Sequence, residues 1–264
     1  MATGRRSTKK FLLAALALPL LGYLGLCGLM YAQQRDLVYF PQATRLDAIH
    51  TEFELRRPGA TLRGWVLQPG QKHALIYFGG NAEAIEGMRT RLARLFPDRS
   101  IYLVAYRGYG ASDGSPEESL LQADALALFD HAKGRHREGD VAVIGRSLGS
   151  GVASFVAAQR PVSGLVLVTP FDSLAAVAAD HYPWLPVDWL LQDRYDSDRH
   201  LAGYTGPVLV IRAGNDRVVP AERTDQLIAA LPQPPEVVEV ADASHDTVLI
   251  DAAPGEAMVR FLSR

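Results

Sequence analysis

Ser147 stands in the run Gly145-Arg-Ser-Leu-Gly149, the G-x-S-x-G spacing that suits a serine at a sharp strand-to-helix turn. Small residues on either side let such a turn close and leave the hydroxyl exposed. A serine hydroxyl is a weak nucleophile until a base takes its proton, so a histidine and an orienting acid are expected downstream. Of the seven histidines, His50, His73, His131 and His136 precede the serine, and His181 and His200 fall in a connecting segment. His245 lies in a loop between the last strand and the last helix, which makes it the candidate base. Asp216 directly follows the apolar run Val208–Arg212 and is the candidate acid. Asp172, four residues past another strand, and Asp246, beside the histidine, are the alternatives. Two backbone N–H groups would be needed to hold a developing oxyanion. Leu148, after the serine, and Asn81, in the loop Gly79-Gly80-Asn81, are the candidates, with Asn81 also suited to cap the next helix.

These residues need a scaffold that brings loop ends together. From residue 50 onward, strands and helices alternate. Glu52–Arg56 and Arg63–Leu67 read as antiparallel opening strands. Ala74–Phe78, Ile101–Ala105, Val141–Ile144, Leu165–Val168, Val208–Arg212 and Val237–Val240 follow as short apolar strands. Between them, helical spacing predicts helices over 82–96, 115–133, 148–159, 222–231 and 254–262. Ser115-Pro-Glu-Glu118 resembles a helix start with a serine cap. Apolar strands alternating with helices imply a mostly parallel sheet covered on both faces, an α/β fold with its site at the carboxyl ends of the strands. Residues 170–206 interrupt the alternation. Their two tryptophans and several prolines suggest a small lid.

Ahead of this body, residues 11–31 carry no charge over a length able to cross a bilayer. Arg5, Arg6, Lys9 and Lys10 precede them, which predicts a cytoplasmic N-terminus of residues 1–10 and a signal anchor over 11–31. The domain of residues 32–264 would then lie on the extracytoplasmic side, at the periplasmic face of the inner membrane in a bacterium. Cleavage is disfavoured because Met30-Tyr-Ala32 lacks small residues at the required positions. Without the four leading cations, 23 basic residues face 29 acidic ones, a balance that argues against a nucleic-acid partner. The run Lys133–Arg137 reads as a solvated helix end. Cys27 is the sole cysteine, so no internal disulfide can form. An apolar fraction of 48% with 21% charged residues is that of an ordinary folded domain.

Several segments together resemble a known family. They are Leu37-Val-Tyr-Phe-Pro41, Tyr77-Phe-Gly-Gly-Asn-Ala82, Tyr106-Arg-Gly-Tyr-Gly-Ala-Ser112, Gly114-Ser-Pro-Glu117, Gly145–Gly151, Thr169-Pro-Phe-Asp-Ser173 and Gly214-Asn-Asp-Arg-Val-Val-Pro220. In this order they resemble the membrane-anchored serine α/β-hydrolases related to fission-yeast Bem46 and to the mammalian α/β-hydrolase-domain lipases and depalmitoylases. The resemblance implies an α/β-hydrolase fold, Ser147, Asp216 and His245 as a triad, and Asn81 and Leu148 as oxyanion donors. It departs at Gly79, where the family usually has histidine, and at Ala105, where many relatives carry a polar residue.

The expected activity is hydrolysis of a carboxylic ester or thioester of an acyl or lipid-like substrate, through an acyl-enzyme. No metal-ligand cluster and no dinucleotide fingerprint is present in the sequence, so no cofactor is expected. Two other readings stay open. One is a serine peptidase of aminopeptidase type, with Glu83 and Glu86 as acids for a free amine. The other is an inactive membrane scaffold on the same fold.

Overall fold

The computed structural model describes the backbone from residue 3 and the side chains from residue 15 to the C-terminus. The first element is one long helix, α1 (Thr3–Val38), which encloses the expected span 11–31 and runs past it. Leu16, Leu18, Leu20, Leu21, Leu24 and Leu29 on it are exposed, whereas Cys27 is buried and Tyr23 bonds the carbonyl of Trp184, so one side of its middle is open and the other meets the body of the chain. Its last turns dock on the domain. There Arg35 pairs with Glu117 at 2.9 Å, and Tyr39, buried just beyond the helix, donates to Asp193 at 2.9 Å.

The body begins with β1 (Phe53–Arg57), β2 (Ala60–Leu67) and β3 (His73–Phe78). Then come α2 (Arg89–Leu95), β4 (Arg99–Val104), α3 (Glu118–Arg135), β5 (Val141–Arg146), α4 (Leu148–Gln159) and β6 (Leu165–Val168). The connecting segment holds α5 (Leu174–His181), α6 (Val187–Leu190) and α7 (Ser197–Leu201). The chain closes with β7 (Val208–Ala213), α8 (Ala221–Ala230), β8 (Glu236–Val240) and α9 (Ala252–Leu262).

All strands join one sheet in the order β1-β2-β4-β3-β5-β6-β7-β8. Only the pairings of β2 with β1 and β4 are antiparallel. The others are parallel. Burial follows position in the sheet. Leu165–Val168 is buried throughout, whereas β1 and β8 at the edges alternate half-buried and exposed residues. This is the pattern expected when helices cover both faces of the centre and water reaches the rims. Helices α3, α4, α7 and α8 pack on one another in one layer, and α2 packs with α9 in another.

Two expected elements differ. The helix over 82–96 is replaced by a short turn, Ile85–Met88, followed by α2. The apolar spacing is present, but Ala82 adopts a left-handed φ of 57° and the Glu83 carboxylate accepts from Gly80 N–H at 2.6 Å, which folds the chain back before it can wind. Nor does Ser115 cap a helix. The helix starts at Glu118, after an extended Glu117. Glu118 instead accepts the backbone N–H of Arg194 at 2.6 Å and of Tyr195 at 3.0 Å, fastening the connecting segment to the body.

Candidate active site

The turn between β5 and α4 carries Ser147 at φ 50°, ψ −117°, a conformation that a side-chain-bearing residue rarely adopts. Its surroundings hold it there. Ser147 N–H donates to Val168 O at the end of β6, and Ser147 O accepts from Ser150 N–H at 2.8 Å as α4 begins. The glycines are required by contact. A Cβ on Gly145 would come to 2.6 Å from Ala153 Cβ, and one on Gly149 would come to 2.6 Å from Gly79 O. Only bare backbone lets α4 pass that close to the ends of β3 and β5.

Asp216 follows β7 by three residues and His245 follows β8 by five. The structure brings both to the serine. His245 Nε2 lies 2.9 Å from Ser147 Oγ, and His245 Nδ1 lies 2.7 Å from Asp216 Oδ2. A proton on Nδ1 donates to the carboxylate and leaves Nε2 free to accept from the serine hydroxyl. The second Asp216 oxygen accepts from the amides of Val218 at 2.9 Å and Val219 at 2.8 Å, which fixes its plane. Burial alone would raise the Asp216 pKa. The hydrogen bonds from His245 and from these two amides outweigh it and hold the carboxyl below its ordinary value. His245 keeps only 7% of its surface exposed, so water has little access to the bond between imidazole and carboxylate.

The alternatives are occupied elsewhere. Asp172 pairs with Arg223 at 3.1 Å. Asp246 is exposed and reaches only Arg146, at 3.4 Å. His181 bonds the Val218 carbonyl at 2.9 Å, and buried His136 lies between Tyr102 and the Gln71 carbonyl.

Facing the serine is the loop Gly79–Ala82. A Cβ on Gly80 would sit 3.6 Å from Ser147 Cβ, so loop and elbow are in contact. The Gly80 amide is committed to Glu83, whereas among the described residues the amides of Asn81 and Leu148 donate to no protein acceptor. The side chain of Asn81 does not cap a helix as expected. It accepts from Tyr109 Oη at 2.6 Å and from Phe40 N–H at 3.1 Å, and it donates to Val38 O at 2.6 Å. The loop is thereby tied to the end of α1. At Gly79, a Cβ would come to 2.5 Å from Ile85 Cγ2 and 3.3 Å from Glu83 Oε2. Those two side chains occupy the space that a larger residue at position 79 would need.

Glu83 itself is not a surface acid. Besides Gly80 N–H it accepts from Tyr77 Oη at 2.8 Å and pairs with Arg146 at 3.3 Å. Sequence reasoning missed this role and that of Gln34, whose amide donates to Leu190 O at 3.1 Å and accepts from Gln192 N–H at 2.7 Å. Short-range pattern carries no signal for Gln34, whose partners are more than 150 residues away, whereas Glu83 bonds Gly80 and Tyr77 only three and six residues back, a local turn that its helical apolar surroundings obscure.

Above Ser147 opens a cleft of about 420 Å³. Ser147, Leu148 and Asn81 form its floor, and Phe171, Leu174, Val177 and Leu191 line the side toward the connecting segment. The opposite wall is α1, through Met30, Gln34, Leu37 and Val38. Apart from the floor the lining is almost wholly apolar, which suits a hydrocarbon chain. Among the described residues, no cluster of histidine, cysteine or acid side chains could hold a metal ion.

Comparison with known proteins agrees with this architecture. The family described as Serine aminopeptidase, S33 (Hydrolase_4) matches residues 71–196. An uncharacterized protein of Mycobacterium tuberculosis, Rv2307c, is 38% identical over 255 residues, covering 90% of each chain. The mouse lysophosphatidylserine lipase ABHD12 is 32% identical over 170 residues, 56% of this chain and 43% of that one. Among solved structures, the Pyrococcus furiosus esterase Pf2001 superposes with a TM-score of 0.66 at 18% identity, over 86% of this chain and 95% of that one. A hydrolase from Pseudomonas aeruginosa superposes with a TM-score of 0.65 at 20% identity, over 83% of this chain and all of that one. At such identities these two structures speak for the fold alone.

Proposed function

Because this chain belongs to the α/β-hydrolase family, we propose that it is a serine hydrolase that cleaves the ester or thioester bond of an acyl lipid. The observation that carries the proposal is the relay Asp216–His245–Ser147, with links of 2.7 and 2.9 Å, at the floor of an apolar cleft.

Ser147 Oγ attacks the acyl carbon while His245 Nε2 takes its proton, and the Asp216 carboxylate stabilises the imidazolium so formed. The carbonyl oxygen becomes an oxyanion facing the amides of Leu148 and Asn81, each worth about 10²- to 10³-fold in rate. When the intermediate collapses, His245 returns the proton to the departing alkoxide or thiolate, leaving an acyl ester on Ser147. Water, deprotonated by the same imidazole, then attacks that ester and frees the acid. The hydrocarbon tail lies between α1 and α5 throughout.

The peptidase reading has less support. Glu83 is committed to Gly80, Tyr77 and Arg146 and does not line the cleft, so it is not available for a substrate amine. An inactive scaffold would have no need of an intact relay. The apolar part of α1 would anchor the enzyme over residues 11–31, with the catalytic domain on the extracytoplasmic side.

A fluorophosphonate probe tests the reading. It is expected to label the full-length protein at Ser147 and to leave Ser147→Ala unlabelled. Esters of increasing chain length should be turned over faster than aminoacyl anilides. A folded protein that takes no label would sink the proposal.

A further inference from the structure

The segment between α5 and α7 is bound to α1 at two heights. Low on the helix, Tyr23 Oη donates to Trp184 O at 2.8 Å. Higher up, the Gln34 amide holds Leu190 O and Gln192 N–H. Eleven residues of helix separate these ties, so residues 184–190 lie alongside α1 for about 16 Å. The segment slopes down the anchor toward the membrane.

That slope conflicts with a lid lying wholly in water. If everything from Tyr23 onward stood above the bilayer, only residues 11–22 would be left to cross it. Twelve residues span about 18 Å, well short of the roughly 30 Å of a hydrocarbon core. If residues 11–31 cross instead, Tyr23 lies about 12 Å inside the boundary, and the stretch at Trp184 goes in with it.

The side chains suit that depth. From Tyr182 to Val187 there is no charge. Tyr182 is 48% exposed, Trp184 54% and Trp189 88%, a set of aromatic surfaces that the described residues leave open. Tyrosine and tryptophan are the side chains favoured at membrane interfaces. Charge returns at the domain end, where Asp188 pairs with Arg194 at 3.1 Å. The cleft follows the same line. Its walls include Met30 on α1 and Tyr182 on the sloping segment, so it extends from Ser147 to the upper edge of the span.

We propose that the lid tip around Trp184 inserts into the bilayer leaflet on the domain's side, and that the cleft opens between this tip and α1 so that the acyl substrate enters directly from the leaflet. The substrate is then a lipid resident in the membrane, and its reacting carbonyl rises along α1 to Ser147. This rests on the hydrolase reading for what happens at Ser147. The insertion itself does not.

The experiment uses the full-length protein in phosphatidylcholine vesicles, with bromine placed at defined depths on the lipid chains. Bromine placed deep on the chains is expected to quench Trp184, with iodide in the water having little effect on it, whereas Trp189, beside Asp188 and level with Gln34, stays near the water. Trp184→Phe should remove most of the signal quenched by deeply placed bromine. Buried Trp65, which donates to His50 O, supplies a constant background. On the same vesicles, Trp184→Asp should slow hydrolysis of a long-chain bilayer ester roughly tenfold relative to a water-soluble short ester. Fluorophosphonate labelling of Ser147 reports that this variant has folded.

Quenching of Trp184 by iodide and not by brominated chains would overturn the insertion. Quenching by neither, with cross-linked dimers, would assign the aromatic surface to a second copy and overturn it equally. Deep quenching with an unchanged ratio of long- to short-ester turnover would overturn entry from the leaflet. A failure of the hydrolase reading would show instead as an unlabelled Ser147, with the quenching result unaffected.

Discussion

The cleft has an inner wall, its floor at the elbow, and an outer wall formed jointly by α1 and the connecting segment, and the two are built in different ways. The elbow wall, from Gly145 to Gly149, follows from the sheet: β5 delivers the serine, bare glycine backbone admits α4, and β7 and β8 end where Asp216 and His245 can reach the serine. The opposite wall, from Asn81 through α1 to the connecting segment, is assembled by side chains reaching across the sequence. Asn81 holds Val38 and Phe40, Gln34 holds Leu190 and Gln192, and Tyr23 holds Trp184. The first wall is rigid because its atoms have no room to move. The second depends on a handful of polar ties, so substitutions in the two walls should differ in kind.

The largest effect is expected at the relay. Asp216→Asn preserves the shape of the group but removes the charge that fixes the imidazole tautomer. Ester turnover should fall about 10⁴-fold, or about 5 kcal/mol of transition-state stabilisation. The same substitution has a pH signature. The folded pKa of Asp216 lies below its ordinary value of 3.8, so its ionised form favours the folded state. That contribution is present in full above the unfolded pKa and is lost as pH falls through the folded one. Any stability advantage of the wild type over Asp216→Asn should shrink in denaturant titrations taken below pH 3.8. A gap that widened on acidification would contradict the hydrogen-bonding pattern around this carboxylate.

Next comes packing at the elbow. Gly149→Ala drives a methyl group against the Phe78 and Gly79 carbonyls, which are backbone and cannot turn aside. Overpacking of this kind costs about 1–3 kcal/mol, and the upper end is expected here. A urea midpoint within error of the wild type would show that α4 can shift and that the elbow is less constrained than its contacts imply.

The contrast between the walls also explains what could be read from sequence. Ser147 was legible because its signal is local: a strand, five residues and a helix. That Asp216 and His245 would come close to Ser147 was legible because each follows an apolar strand of the same sheet. The mostly parallel sheet was legible from runs such as Leu165–Val168, whose burial on both faces leaves no alternation. The helix over 82–96 was misjudged because apolar spacing does not record that Glu83 turns back onto Gly80. Asn81 looked like a cap, since its type fits one, while its true partners lie some 28 to 43 residues away. Gln34 gave no sign at all. A polar residue at the end of an apolar helix ordinarily meets water, and only the fold reveals that it meets Leu190 and Gln192.

Asn81→Ala tests the second wall at its base. The amide proposed to meet the oxyanion would remain, but the ties that position it would be lost. A misplacement of this sort should lower kcat about 10- to 100-fold with little change in KM. Asn81→Asp keeps the acceptor for Tyr109 and Phe40 and loses only the donor to Val38, so it should fall between the two. If Asn81→Ala raised KM alone, the loop would be serving substrate binding rather than the transition state.

The smallest effect is expected at Gln34, where the second wall meets the lid. Gln34→Ala removes both hydrogen bonds to the segment at Leu190 and Gln192 and leaves their backbone groups to water or to each other, at a cost of about 1 kcal/mol. Because Gln34 also lines the cleft, short and long esters should both be affected, but unequally. A long chain has to lie between α1 and the lid and should lose a few-fold more in kcat/KM than a short chain that stays near Ser147. Gln34→Glu, which keeps the acceptor for Gln192 N–H but not the donor to Leu190, should recover part of the difference. Equal losses at every chain length would mean that α1 and the lid move as one body and that Gln34 does not set the width of the cleft.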